Sequence, residues 1–266
     1  MEHYNLVAPP RSRWGTPQVD GSWKWTRPST LAKACDDTSN LIDWKARTCA
    51  KGIVSQEHLI AAASAASIDD KGAWRDILEQ GLTASGGTKG RTMGTAVHTA
   101  TEEADYGRDI SHLPEGVFND VQAYRSQMRQ RNFEPLAAEL FVVNDELKAA
   151  GSFDRLILHP PSERAAILDL KTSSNPSSAK WSAVSWAIQL AVYANSVPYC
   201  HERGRLSWGD LGLPTPNTDY GVIAHIVPGS SRCKFLKVDL KAGLEYARLA
   251  TEVREARKDT NIVEEM

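Results

Sequence analysis

Asp169 and Lys171 stand two residues apart at the end of an apolar run, Ile167-Leu168-Asp169-Leu170-Lys171, just before the polar stretch Thr172-Ser173-Ser174-Asn175. Side chains of a strand alternate between its two faces, so the acid and the amine would point the same way. An isolated pair of this kind is most often a solvent-facing ion pair. It can also be half of a reactive site: carboxylate oxygens suit a hard divalent cation, and a lysine can orient or deprotonate a water or offset charge on a phosphate. Asp154, in Gly151-Ser152-Phe153-Asp154, lies 15 residues before Asp169. That separation suits adjacent antiparallel strands joined by a short turn, which would put a second carboxylate beside the first. His98, in Gly94-Thr95-Ala96-Val97-His98, could add an imidazole ligand, with Glu102 one helical turn on. Gln189 and Tyr193, also four apart, present an amide and a phenol on an otherwise apolar helix. Taken singly, the last two pairs read as a half-buried histidine with a solvated glutamate, and as a polar stripe at the edge of a core.

The elements that must position these groups follow from periodicity. Residues 1–28 read as a loop-like arm rich in proline, with Trp14, Trp23 and Trp25 among basic residues; packing onto the main body is favoured over base stacking. A helical region runs over residues 29–85, with helices at 31–48, 55–68 and 72–81. The glycines at 86, 87 and 90 mark a flexible loop. Helices then span 91–105 and 117–132. Strands follow at 138–145, 147–159 and 164–173, the first two forming a hairpin, and a helix occupies 178–197. A second hairpin, 220–228 with 233–240, turns at Gly229-Ser230, and Asp239 caps a last helix. The division expected is an arm (1–28), a helical lead-in (29–85), a core (86–240) and a C-terminal helix packed on it (241–266).

Composition sets limits. The 266 residues are 41% hydrophobic and 24% charged, with a net charge of −2, as in an ordinary globular protein with no overall basic surplus. No signal peptide and no membrane-spanning stretch are evident, so a cytoplasmic protein (host cytoplasm, if viral) is expected. Cys35, Cys49, Cys200 and Cys233 show no CxxC spacing, and no phosphate-binding loop of the GxxxxGK[ST] type occurs.

The ordered set GTAVH (94–98), GSFD (151–154), ILDLKTS (167–173) and QLAVY (189–193) resembles the RecB-like branch of the PD-(D/E)xK nuclease superfamily, of the CRISPR-associated and bacteriophage exonuclease type. The resemblance covers residues 91–195. It implies an α/β fold with a restriction-endonuclease-like core, a mixed central sheet flanked by helices. It implies metal ligation by His98, Asp154, Asp169 and the Leu170 carbonyl, with Lys171 as the catalytic lysine. Glu139 corresponds to a supporting glutamate, and Gln189 and Tyr193 to a pair that helps hold DNA and the site's geometry. Thr172, next in the polar run, is placed among the DNA contacts. From charge and position, Lys89 and Arg91 are further candidates for phosphate contacts. Iron-sulfur members carry one cysteine before the core and three clustered after it; the two-and-two arrangement here implies no cluster.

The function expected is therefore a metal-dependent DNA exonuclease using one or two Mg or Mn ions and leaving 5′-phosphates. Its setting would be phage or bacterial recombination, repair or replication, with DNA as partner, a recombination or replication protein as a candidate second partner, and no membrane. The alternatives are a structure-selective endonuclease of the same fold and a non-catalytic nucleic-acid-binding module.

Overall fold

The protein is described from a computed structural model covering residues 1, 4, 6–13, 15–173, 177, 179–260 and 262. Trp14, Ser174 and Asn175 lie outside the described residues. In chain order the elements are α1 (Pro28–Ala32), α2 (Ser39–Val54), α3 (Glu57–Ala65), α4 (Lys71–Ala84), α5 (Lys89–Asp105), α6 (Glu115–Gln130), β1 (Glu134–Ala138), β2 (Phe141–Asn144), β3 (Ala149–Ser152), β4 (Arg155–His159), β5 (Arg164–Thr172), α7 (Ala179–Ala194), β6 (Val197–Cys200), β7 (Gly204–Arg205), β8 (Tyr220–Val227), β9 (Arg232–Asp239) and α8 (Leu240–Ala256). They form two units: residues 37–96, and residues 1–36 with 97–266, the boundary falling inside α5.

In the smaller unit, α2 and α4 cross at glycine. A Cβ on Gly52 would lie 1.7 Å from the Gly81 carbonyl oxygen, so the two backbones touch and no larger residue fits. Cys49, Leu59 and Ile77 are buried around this crossing. The helix expected at 31–48 is broken: α1 ends at Ala32 and α2 begins at Ser39, whose N–H donates to Asp37 at 2.9 Å. Asp36-Asp37-Thr38 offers the backbone local side-chain partners in place of helical ones. The glycine-rich stretch expected as a flexible loop is a tight turn, and α5 starts at Lys89 with Gly90 inside it.

The larger unit holds two sheets. One has five strands in the order β1-β4-β5-β8-β9, parallel only between β5 and β8; the other is antiparallel, β3-β2-β6-β7. The mixed sheet flanked by helices is a restriction-endonuclease-like α/β fold. The strands expected at 138–145 and 147–159 are each two strands in different sheets. They form one long hairpin, β1 with β4 and β2 with β3, bent in the middle so that both arms change sheet together. The bend falls at Glu139 (φ +50°) and Asp154, where the Glu139 N–H donates to the Asp154 carbonyl at 3.2 Å. Propensity and periodicity run through this point unbroken, and only the pairing partners reveal it. The β8–β9 hairpin is as expected. Its turn is fastened by the buried Asp120 of α6, which accepts from the N–H groups of Gly229 (2.6 Å) and Ser231 (2.9 Å). Asp239 caps α8 by accepting from the Lys241 and Ala242 N–H groups.

Alternation along β5 divides the core. Ala165 and Ile167 pack with Leu190 and Ala191 of α7, whereas Ala166, Leu168 and Leu170 pack with Tyr124 and Met128 of α6. In the N-terminal arm, Trp25 is buried against Phe141, Val143 and Tyr199, while Trp23 stays exposed. Arg205 fixes the arm by reaching both Asp20 and Asp145. Among the described residues no helix is long and apolar enough to cross a membrane.

Candidate active site

The α7-facing side of β5 is apolar at residues 165 and 167 and becomes polar at 169 and 171. The register Arg155 opposite Leu168 continues by one position to bring Asp154, at the hairpin bend, beside Asp169. Asp154 Oδ2 accepts from the Leu170 N–H at 2.6 Å and lies 3.6 Å from His98 Nδ1 on α5. The His98 ring is also hydrogen-bonded to the Leu170 backbone. Lys171 Nζ pairs with Asp169 Oδ2 and donates to Gln189 Oε1 at 3.1 Å. Gln189 Nε2 faces Asp169 Oδ1 at 3.3 Å and Tyr193 Oη at 3.4 Å. One nest thus gathers His98, Glu139, Asp154, Asp169, Leu170, Lys171, Gln189 and Tyr193.

One placement differs from the sequence expectation. Glu139 does not open a strand; it sits on the hairpin bend in left-handed conformation. Tyr193 is 4% exposed, and Gln189 is hydrogen-bonded to Asp169 and Lys171, contacts in keeping with the expected share in the site's geometry. Lys89 and Arg91 belong to residues 37–96, where Arg91 lies 3.5 Å from Glu79. Thr172 is half-buried at the end of β5.

Charge is strained here. Burial, then the neighbouring Asp154 carboxylate, raises Asp169 to about 6. Burial also raises Asp154, against the pull of Lys171 and the Leu170 N–H. Glu139 is pushed up to about 7 by burial, then by the charges of Asp154 and Glu102. Burial lowers His98, which favours the neutral imidazole a metal requires. Burial opposes the charge on Lys171, but Asp169 and Asp154 outweigh it and raise its pKa. Lys171 is therefore held as an ammonium, which suits orienting a water or meeting a phosphate better than removing a proton.

Acids crowded to this degree are a site short of positive charge, and among the described residues Asp169 Oδ2 has no hydrogen bond beyond its ion pair with Lys171. Oxygen and imidazole donors at a fold-determined strand end fit a hard divalent ion. Among the described residues no three such side chains already form a metal cage, because the carboxylates are engaged by Lys171 and the Leu170 N–H. Asp154, Asp169, His98 and the Leu170 carbonyl are the groups that would hold the ion.

Glu139 gives a test of sign. Its folded pKa lies above the unfolded value of 4.5, so the folded chain binds more protons between about 4.5 and 7 and loses stability as pH rises through that window. Because Glu139 is also open to solvent, which screens these charges, Glu139→Gln is expected to raise metal-free stability at pH 8 by less than about 1 kcal/mol, with little change at pH 4. Urea melts at the two pH values read this; equal gains at both would remove the assignment of strain to Glu139.

Two groups escaped the sequence reading. His225 of β8 is 3% exposed, and its Nε2 lies 2.8 Å from Ser173 Oγ, next along the polar run. Behind the acids, Arg155 is buried and paired with Asp105 of α5. Nothing in GSFDR marks its arginine as buried until a partner 50 residues away is known.

Residues 109–198 match the family model described as the PD-(D/E)XK nuclease superfamily. The matched stretch carries Glu139, Asp154, Asp169, Lys171, Gln189 and Tyr193, and His98 lies before it. No curated protein matches the chain significantly. Seventeen solved chains match; one, titled "Crystal structure of SSO0001", is 14% identical over 63% of this chain and 73% of that chain, with a TM-score of 0.29. Residues 109–198, about a third of the chain, are thus similar to the PD-(D/E)XK nuclease superfamily, whose members use divalent metal ions.

Proposed function

We propose that the protein is a DNA exonuclease dependent on Mg or Mn, hydrolysing phosphodiesters to 5′-phosphate products. The observation that carries this reading is the juxtaposition of Asp154 and Asp169 across adjacent strands, with Lys171 on the same face and His98 at their edge. A divalent ion held there would polarise a phosphodiester and acidify a water. The chain's own residues do the rest. Gln189 fixes Lys171 and Asp169 relative to each other through both ends of its amide. Lys171 has three N–H donors, of which Asp169 and Gln189 take two. The third is left to orient the attacking water or a phosphate oxygen. Tyr193 backs the Gln189 amide. Burial of Asp169 keeps bulk water from competing for the charges.

In this reading the nuclease core runs over residues 86–240, and Lys89, Arg91 and Thr172 contact the DNA backbone. The setting is phage or bacterial recombination, repair or replication. End-labelled linear DNA, single- and double-stranded, should be shortened from its ends with manganese or magnesium, yielding 5′-phosphomononucleotides. Closed circles should survive, and chelator should stop the reaction. Cutting of the circle would establish the endonuclease alternative; no cleavage of any substrate would overturn the nuclease reading.

A further inference from the structure

Arg155 is the largest side chain buried to below 2% exposure, and the reaction outlined above makes no use of it. It sits on the α6-facing side of the sheet, opposite the acids. Its Nε donates to Asp105 Oδ2 of α5 at 2.8 Å, and its Nη1 donates to the Asp154 carbonyl at 2.7 Å. Tyr124 Oη of α6 donates to the same Asp105 oxygen at 2.9 Å. A buried ion pair of this kind is not a strong source of stability, since two desolvated charges cost nearly what they gain. Among the described residues Arg155 Nη2 has no hydrogen-bond partner, a further cost. The arrangement calls for a role besides holding the fold.

Its connections define that role. Asp105 and His98 are on one helix, seven residues apart and so on one face. Asp154 is the residue at the hairpin bend whose carbonyl Arg155 holds. One guanidinium thus ties the helix that presents His98 to the backbone that presents Asp154. We infer that Arg155, braced by Asp105 and Tyr124, is a positioning residue that sets the His98–Asp154 spacing and thereby the divalent-cation affinity of the nest. This rests on the reading of the nest as a cation site. A fork with two fixed donor directions suits the task, and a lysine does not reproduce it.

The test uses the full chain with Arg155→Lys and Tyr124→Phe, and Leu240→Ala as a core truncation at the first residue of α8. Manganese affinity is measured by calorimetry and stability by urea melts. Arg155→Lys should weaken manganese binding about tenfold or more, as loss of partners behind metal ligands does. Leu240→Ala should lose stability without that loss of affinity. Should Arg155→Lys fail to fold, Tyr124→Phe, which removes one hydroxyl, should still weaken binding about threefold. Unchanged affinity in the folded variant, or an equal loss in Leu240→Ala, overturns the proposal. A structure of the variant reads the spacing itself. The His98–Asp154 separation should open from 3.6 Å by about 1 Å, a displacement large enough to impair such sites. An unmoved pair overturns the proposal whether or not any ion binds. A wild type that binds no manganese while the variant's spacing opens would fault the cation reading alone.

Discussion

Asp169→Asn and Lys171→Met should each reduce DNA cleavage about 10³-fold or more, the scale of losing charge stabilisation at a reacting centre, while the chain stays folded. Asp169 is 2% exposed and its pKa is already lifted to about 6 by burial and by Asp154. An amide of the same shape removes that repulsion but has one oxygen for two donors, Gln189 Nε2 and Lys171 Nζ, so gain and loss oppose each other and stability should change little. Lys171→Met acts differently. It leaves Asp154 and Asp169 facing each other without their shared counter-charge, so both carboxyls should hold their protons to higher pH. The variant should then lose stability relative to wild type as pH rises from 4 to 8, through the range in which Asp169 ionises in the wild type. Single-turnover rates with parallel urea melts measure both effects. A folded variant of either kind that cleaves at the wild-type rate removes the assignment of Asp169 and Lys171 to the chemistry.

The second large effect is expected far from the acids. Gly243 of α8 lies against α7 so closely that a Cβ there would meet the Ala187 carbonyl oxygen at 2.3 Å and its carbon at 2.7 Å. Both are backbone atoms of a helix that packs on β5 and β8 and cannot give way locally. Gly243→Ala should cost about 2 kcal/mol through overpacking, and Gly243→Leu should prevent the larger unit from folding. Gly90 is the contrast: a helical glycine with nothing within 4 Å of an added Cβ. There, alanine should add a few tenths to about 1 kcal/mol from helix propensity. Because α7 also carries Gln189, Gly243→Ala should lower cleavage more than its stability loss alone accounts for. Urea midpoints for the two alanine variants, with rates measured well below the transition, decide this. Equal midpoints would mean that the α7–α8 contact tolerates separation.

The parts of this molecule legible in the sequence are those written in short-range order. The 15-residue separation of Asp154 and Asp169 implied antiparallel neighbours, and the register places them side by side. Alternation along Ile167–Lys171 implied a shared face for the acid and the amine, and Gln189 meets both of them there. Asp239 as a cap needed only its local context. What stayed hidden depends on partners distant in sequence. The bend at Glu139 and Asp154 occurs where two strands exchange sheets, and nothing local to either strand encodes that. Arg155 reads as a surface charge until Asp105 and Tyr124 are in place. His225 sits in an apolar run, and only the parallel pairing of β8 with β5 sets it across from Lys171. The break at Asp36-Asp37-Thr38 could have been read from its helix-poor residues.

Diffraction from crystals soaked in manganese tests the cation site most directly. An anomalous peak within coordinating reach of the Asp154 and Asp169 carboxylates, with the His98 ring turned to it, is the result the account requires. Manganese bound elsewhere, or no peak with both carboxylates still closed on Lys171 and the Leu170 N–H at saturating ion, would contradict it.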